Sequence, residues 1–149
     1  MKQYKNKGLT LIEALIWFAV LSAIVFGVVV VYQNTQAKAN ITMETKNIQF
    51  IFAGLQDAKR DGLSNDLDNK MASSLGIIPR NLRKTSNGQL TNAWGGDVTI
   101  EYIDGEGYKL TYKNIPKEDC VSIINQQKNV GWGRIESSID DCVTFSNAN

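Results

Sequence analysis

One carboxylate stands inside the most apolar part of this chain. Glu13 is the fifth residue of a run from Leu9 to Tyr32, LTLIEALIWFAVLSAIVFGVVVVY, interrupted otherwise mainly by Thr10 and Ser22. From Ala14 to Val31 no residue is charged. An acid at the centre of a membrane helix costs about 2.5–3.5 kcal/mol, and less towards the ends. A buried carboxylate becomes tolerable when a cation pairs with it. No Lys or Arg occurs between Lys7 and Lys38, so the cation has to come from elsewhere. A new α-amino group is one candidate. A cut after Gly8 would place that amine on Leu9, and the amine of one subunit could meet Glu13 of its neighbour. The plainer alternative is a Glu near the cytoplasmic interface that reaches water.

Little else in the sequence is equipped for chemistry. The 149 residues contain no His, which removes His-based general bases, His metal ligands and the Ser-His-Asp and Cys-His triads. Two Cys are too few for an all-thiolate zinc site. Gly105-Glu106-Gly107 and Gly131-Trp132-Gly133 are isolated and read as turns rather than phosphate-binding loops. Lys plus Arg is 16 and Asp plus Glu is 15, a net charge of +1 that gives no support to a nucleic-acid binder. Hydrophobic residues at 43% and charged residues at 21% are ordinary for a folded protein. The expectation is a protein that is not an enzyme and has no cofactor or metal.

The element that positions Glu13 is long. A helix over Leu9–Tyr32 would extend about 36 Å at about 1.5 Å per residue, enough for a hydrocarbon core about 30 Å thick. Lys2, Lys5 and Lys7 precede it without an acid, so the short end stays cytoplasmic and the remainder is exported. A cleaved secretory signal would have an apolar core of about 7–15 residues and a small-x-small site; this run is longer. A plain anchor holding a periplasmic domain is the default on hydropathy, but it has no need of Glu13. After Tyr32 the pattern turns amphipathic, with Ile41, Ile48, Phe52 and Leu55 at helical spacing and Lys38, Glu44, Lys46 and Gln49 between them. One helix is therefore expected from about Leu9 to about Ala58, its first half in the membrane and its second half packed on a domain.

Lys7-Gly8-Leu9-Thr10-Leu11-Ile12-Glu13, followed at once by the apolar run, resembles the processing site of type IV prepilins. The resemblance implies that a membrane prepilin peptidase cuts after Gly8, that Leu9 is then N-methylated, and that Glu13 serves processing and assembly. It implies a leader at residues 1–8, a transmembrane and filament-core helix at 9–32, and at 33–149 an amphipathic helix half with a globular α+β head, the pilin fold. Cleavage would take side-chain charge from +1 to −2 by removing Lys2, Lys5 and Lys7. The helix could then leave the bilayer sideways into a bundle of like helices. Subunits related by an operation that does not close give an open filament.

Beyond the long helix, Gly62 and Ser64 mark a turn, and a short helix from about Asn65 to Leu75 would present Leu67, Met71 and Leu75 at i, i+4 and i+8. Asp57, Asp61, Asp66 and Asp68 raise a calcium site, but they lack the EF-hand order; capping and solvation is the preferred reading. Val98–Ile103 and Tyr108–Tyr112 alternate about the turn Asp104-Gly105-Glu106-Gly107 and form a hairpin. Pro116 opens a helix through about Gln127, with Val121 and Ile124 inward. Gly131–Ile135 and Cys142–Phe145 read as further strands. Trp94, Tyr102, Tyr108, Tyr112 and Trp132 read as core or cross-strand partners before an adhesive surface. Antiparallel strands on the second half of the long helix make an α+β head.

Cys120 and Cys142 are the only cysteines, both in the exported part, and read as a disulfide; the alternative is two free thiols. The bridge would close a loop of about 23 residues and remove about 3 kcal/mol of unfolded-state freedom. Ile78–Leu82, then Leu90-Thr91-Asn92-Ala93-Trp94-Gly95-Gly96, and Asp119–Ile123 resemble the bundle-forming pilins of the type IVb class. The short leader, which alone would point to type IVa, and a chain smaller than typical type IVb major subunits are departures from that class; the span between the cysteines is compact, and a minor pilin remains open beside a major one. The reading is a structural subunit of a type IV pilus, serving adhesion, aggregation or conjugative contact. Its partners would be its own copies, the prepilin peptidase/methyltransferase and the inner-membrane assembly machinery. It would sit in the inner membrane as a precursor, head periplasmic, and then in an extracellular pilus. The alternatives are a type II secretion pseudopilin and a non-assembling anchored domain.

Overall fold

The sequence has prolines only at positions 79 and 116, so nothing breaks a helix ahead of residue 79 by removing a backbone donor. The structure, a computed structural model, describes residues 10–63, 67–84, 88–103, 107–137 and 143–146. It places helix α1 at Leu11–Arg60, 50 residues long, against the expected span from Leu9 to Ala58. The chain divides into two compact units, Met1–Lys38 and Ala39–Asn149.

In the first unit α1 is apolar on every side. Leu11 is 84% exposed, Phe18 69% and Phe26 78%. A helix that is hydrophobic all round belongs in lipid or in a bundle, and this one is long and apolar enough to cross a membrane. Its Ser and Thr hydroxyls bond back into the helix. Ser22 Oγ donates to the Phe18 carbonyl at 2.7 Å, and Thr35 Oγ1 to the Val31 carbonyl at 2.9 Å.

In the second unit α1 is amphipathic and buries Ile48, Ile51, Leu55 and Ala58 at spacings of three and four. Gly54 lies against Ile77, whose Cγ2 would be 2.9 Å from an added Cβ. Helix α2 covers Asn69–Ser74, shorter than the expected Asn65–Leu75. Asp68 is the reason. Its Oδ1 accepts the Met71 N–H at 2.7 Å and caps the helix there. Leu67 therefore precedes the helix and is buried, the inward face is Ala72, and Met71 and Leu75 are exposed, so the three do not form the single helical stripe expected of them. Gly76, at φ 75°, ends α2. The Ile77 N–H reaches the Ala72 carbonyl at 2.9 Å and the Gly76 N–H the Ser73 carbonyl at 3.3 Å, a Schellman closure.

Among the described residues six strands follow: β1 Arg83–Lys84, β2 Leu90–Thr91, β3 Asp97–Ile103, β4 Gly107–Tyr112, β5 Arg134–Glu136 and β6 Val143–Ser146. They form one antiparallel sheet in the order β1-β2-β3-β4-β6-β5. The expected hairpin is present, β3 pairing β4 from Val98↔Tyr112 to Ile103↔Gly107; residues 104–106 of its turn lie outside the described residues. The final strand β6 enters between β4 and β5, with Leu110 opposite Phe145.

Helix α3 is Lys117–Gln127, with Pro116 at its N-cap. Its buried residues are Cys120, Ile123 and Gln127, with Ile124 packed at the margin. That phase turns Val121 outward to 52% exposure, a correction to its expected inward place. The core reading of the aromatics is met by Tyr108, Tyr112 and Trp132, all buried, and by Trp94 and Tyr102, packed against the core. Trp132 packs between Phe52 and Phe145 in tilted contacts, with ring centroids 4.6 and 4.9 Å apart.

Candidate functional site

Two places concentrate what the sequence singled out: the start of α1, and the seam where the second half of α1 meets the loop between β2 and β3. At the first, Gly8 and Leu9 lie outside the described residues. Glu13 is in the first turn of α1 and exposed, its N–H on the Thr10 carbonyl at 3.0 Å. An acid there complements the positive end of the helix.

The seam is built around Glu44. It was expected among the polar residues between the apolar positions of α1, but it is buried to 2% exposure. Glu44 Oε2 accepts from Asn47 Nδ2 at 3.0 Å, and Oε1 from the Ala93 N–H at 2.7 Å. Burial pushes its carboxyl pKa up, and the hydrogen bonds from Asn47 and Ala93, with the nearby Tyr112 hydroxyl, pull partly against that. The Tyr112 hydroxyl faces the same carboxylate but makes no well-aligned hydrogen bond among the described residues. Burial, and then the neighbouring charge of Glu44, raise its pKa well above the phenolic value.

Ala93 is presented to Glu44 by the segment Asn92-Ala93-Trp94-Gly95-Gly96. Asn92 is fully buried and ties the loop to itself. Its Oδ1 accepts the Trp94 N–H at 3.0 Å and the Gly96 N–H at 2.9 Å, while its Nδ2 donates to the Lys113 carbonyl at 2.8 Å. Gly95 adopts φ 81°, which glycine takes without strain. At Gly96 an added Cβ would lie 1.9 Å from the Lys113 carbonyl oxygen, so backbone meets backbone there. Trp94 Nε1 then donates to Asp119 Oδ2 on α3 at 3.1 Å. One loop thus joins α1, the end of β4 and α3, which accounts for the Asn, the aromatic and the two glycines in physical terms.

A second polar tie runs between α3 and α1. Gln127, fully buried, donates through Nε2 to the Thr45 carbonyl at 3.1 Å, and its Oε1 accepts from Trp132 Nε1 at 3.4 Å. A third protects the sheet. Asn69 Nδ2 donates to the Val98 carbonyl at 2.9 Å and Asn69 Oδ1 accepts the Ile100 N–H at 2.8 Å, as a neighbouring strand would. Glu44, Asn47, Asn69 and Gln127 were not singled out from the sequence. Glu44 had a signal: Ile41, Glu44, Ile48, Ile51 and Leu55 share one helical stripe.

Cys120 is buried, and no described cysteine is a free thiol; its expected partner Cys142 lies outside the described residues. Of the four aspartates, Asp68 caps α2, and Asp57 lies 3.5 Å from Arg60 in an exposed pair. Asp61 is exposed, and Asp66 lies outside the described residues. No group of three or more metal-ligating residues occurs among the described residues.

The PilS N-terminal family matches residues 38–148. Two curated proteins are similar over nearly the whole chain. The major structural subunit of bundle-forming pilus from Escherichia coli O111:H- is 27% identical, covering 99% of this chain and 80% of its own length. The protein of the same description from Escherichia coli O127:H6 (strain E2348/69 / EPEC) is 26% identical with the same coverage. No solved structure matches.

Proposed function

The chain belongs to the PilS N-terminal family, a pilin of the type IVb kind, and we propose that it polymerises through its N-terminal helix after a cut behind Gly8 and N-methylation of Leu9. At the coarser level it is a non-enzymatic structural subunit of a type IV pilus, made as a membrane precursor and assembled with its own copies outside the cell. What carries the finer reading is the apolar surface of α1 from Leu11 to Tyr32, exposed on all sides in a chain whose relatives are pilus subunits.

That surface needs lipid before assembly and neighbouring helices after it. Cleavage would remove Lys2, Lys5 and Lys7, the basic flank that holds the orientation. It would also create the Leu9 amine. Glu13 of an adjacent subunit supplies the opposite charge, so a new subunit gains an ion pair only when it docks in register. Removing one member of a buried pair costs about 3–5 kcal/mol, enough to decide register. The partners before assembly would be a prepilin peptidase/methyltransferase and the inner-membrane assembly machinery. A disulfide between Cys120 and Cys142 would brace the head against tension. Adhesion, aggregation or conjugative contact would be the work of the fibre.

Intact-mass measurement of the membrane-extracted chain tests this reading. Loss of the first eight residues with one added methyl group is the expected result. A full-length, unmodified chain would return the protein to a non-assembling anchored domain. Long fibres in sheared surface material distinguish a pilus from the short piston of a type II secretion pseudopilin.

A further inference from the structure

Two exposed helix stripes of the head carry matching patterns. On the outward face of α1, Lys46, Phe50 and Asp57 fall at i, i+4 and i+11, with Asp61 one turn further. Phe50 is 53% exposed, more than Met43 at 36%, on a stretch of helix whose Ile48, Ile51 and Leu55 are buried. It stands between two hollows of about 350 and 780 Å³. Ala53, Gly54, Leu75 and Gly76 line the first beside Phe50, and Arg80 joins Lys46 at the second. The groove is basic at the Lys46 end, apolar at Phe50 and acidic at the other end, where Asp57 shares an exposed pair with Arg60 and Asp61 adds a second carboxylate.

On α3, the outward face carries Glu118, Val121, Asn125 and Lys128, all exposed. It is acidic, then apolar, then basic. The spacing agrees as well as the order. Lys46 to Phe50 is about 6 Å along the axis and Phe50 to Asp57 about 10 Å; Glu118 to Val121 is about 4.5 Å and Val121 to Lys128 about 10 Å. Lys117 lies at the margin of this stripe, and Asp119 is already engaged by Trp94.

We propose that the Lys46–Phe50–Asp57 groove of one subunit receives the Glu118–Val121–Lys128 face of a second copy of this chain, the two helices running parallel. Val121 enters the hollow beside Phe50, Glu118 faces Lys46 and Arg80, and Lys128 faces Asp57 and Asp61. The two surfaces are different patches of one head, so the contact is heterologous and propagates along a series of copies. Complementary rims of this kind set register and exclude wrong docking more than they add affinity. The proposal rests on the pilus-subunit reading and names the head surfaces that would meet in the fibre.

Phe50→Cys combined with Val121→Cys in the full chain tests it. After mild oxidation of sheared fibres, non-reducing electrophoresis should show a ladder of covalent multimers, and neither single variant should show one. Fibres that form without a ladder, or that yield dimers alone, overturn the proposal while leaving the pilus reading intact. An unsubstituted chain that makes no fibres overturns the pilus reading itself. A charge exchange gives a second readout should the double-cysteine chain fail to assemble. Lys46→Glu and Glu118→Lys should each lower fibre yield several-fold, and the two together should restore it. Losses that multiply in the combination overturn the contact.

Discussion

Glu44→Ala and Glu44→Gln, made side by side, separate what its hydrogen bonds contribute from what its charge costs. Alanine leaves the Ala93 N–H and the Asn47 amide without an acceptor inside a site that is 2% exposed. An orphaned buried donor costs about 1–3 kcal/mol. Two of them, partly offset by no longer burying a carboxyl, give a net loss of about 3 kcal/mol. For a unit of this size that lowers Tm by roughly 10 °C. Glutamine keeps the volume and one oxygen for Ala93, and Asn47 can turn its own carbonyl to the new amide. Its cost should stay within about 1 kcal/mol. The pH profile supplies the sign. Burial raises the folded-state pKa of Glu44, so the fold holds a proton that the unfolded chain has already released. The resulting stability is fully present below the ordinary carboxylate pKa and is lost as pH rises through the raised folded value. Glutamine should flatten that slope. Chemical denaturation of the full chain in detergent micelles, followed by near-UV circular dichroism across this pH range, measures both effects. An alanine variant as stable as the parent, or a glutamine variant as damaged as alanine, would refute the reasoning.

Three further outcomes follow from the same packing. Gly96→Ala should cost about 3 kcal/mol or more because its Cβ meets the Lys113 carbonyl, whereas Gly95→Ala, facing open space at φ 81°, should cost about 1–2 kcal/mol; denaturation midpoints check the ranking. Asn69→Ala should lose about 1–3 kcal/mol by leaving the Val98 carbonyl and Ile100 N–H unpaired. Hydrogen exchange should quicken at the Ile100 amide. If Cys120 and Cys142 are bridged as proposed, Cys120→Ser should lower stability by about 3 kcal/mol, and non-reducing peptide mapping of the parent should find the two cysteines in one linked peptide pair.

The elements legible beforehand were those written by periodicity. The change from an all-round apolar run to an amphipathic stripe gave α1 to within two residues at either end, and strict alternation gave the β3–β4 hairpin. The losses came where a side chain decided the backbone. Asp68, by capping, started α2 late and turned Met71 and Leu75 outward. The phase of α3, set from Pro116, placed Cys120 and Ile123 inside and Val121 outside. Glu44 was legible by position and was set aside for its charge. Its acceptors are satisfied by Asn47 next to it and by Ala93, far away in sequence, and that second donor exists only once the Asn92 loop has closed. The strand order was not legible, because the insertion of β6 between β4 and β5 depends on non-local pairing that no single stretch of the chain specifies.

The decisive measurement concerns Glu13. Glu13→Leu removes the one acid of the apolar run, so membrane insertion of the helix improves rather than suffers. With equal amounts of parent and variant in the membrane fraction, fibres in sheared surface material are counted and measured by electron microscopy. Abundant long fibres are expected from the parent and a near-complete loss from the variant. Fibres of parental number and length from Glu13→Leu would contradict the assembly role of Glu13.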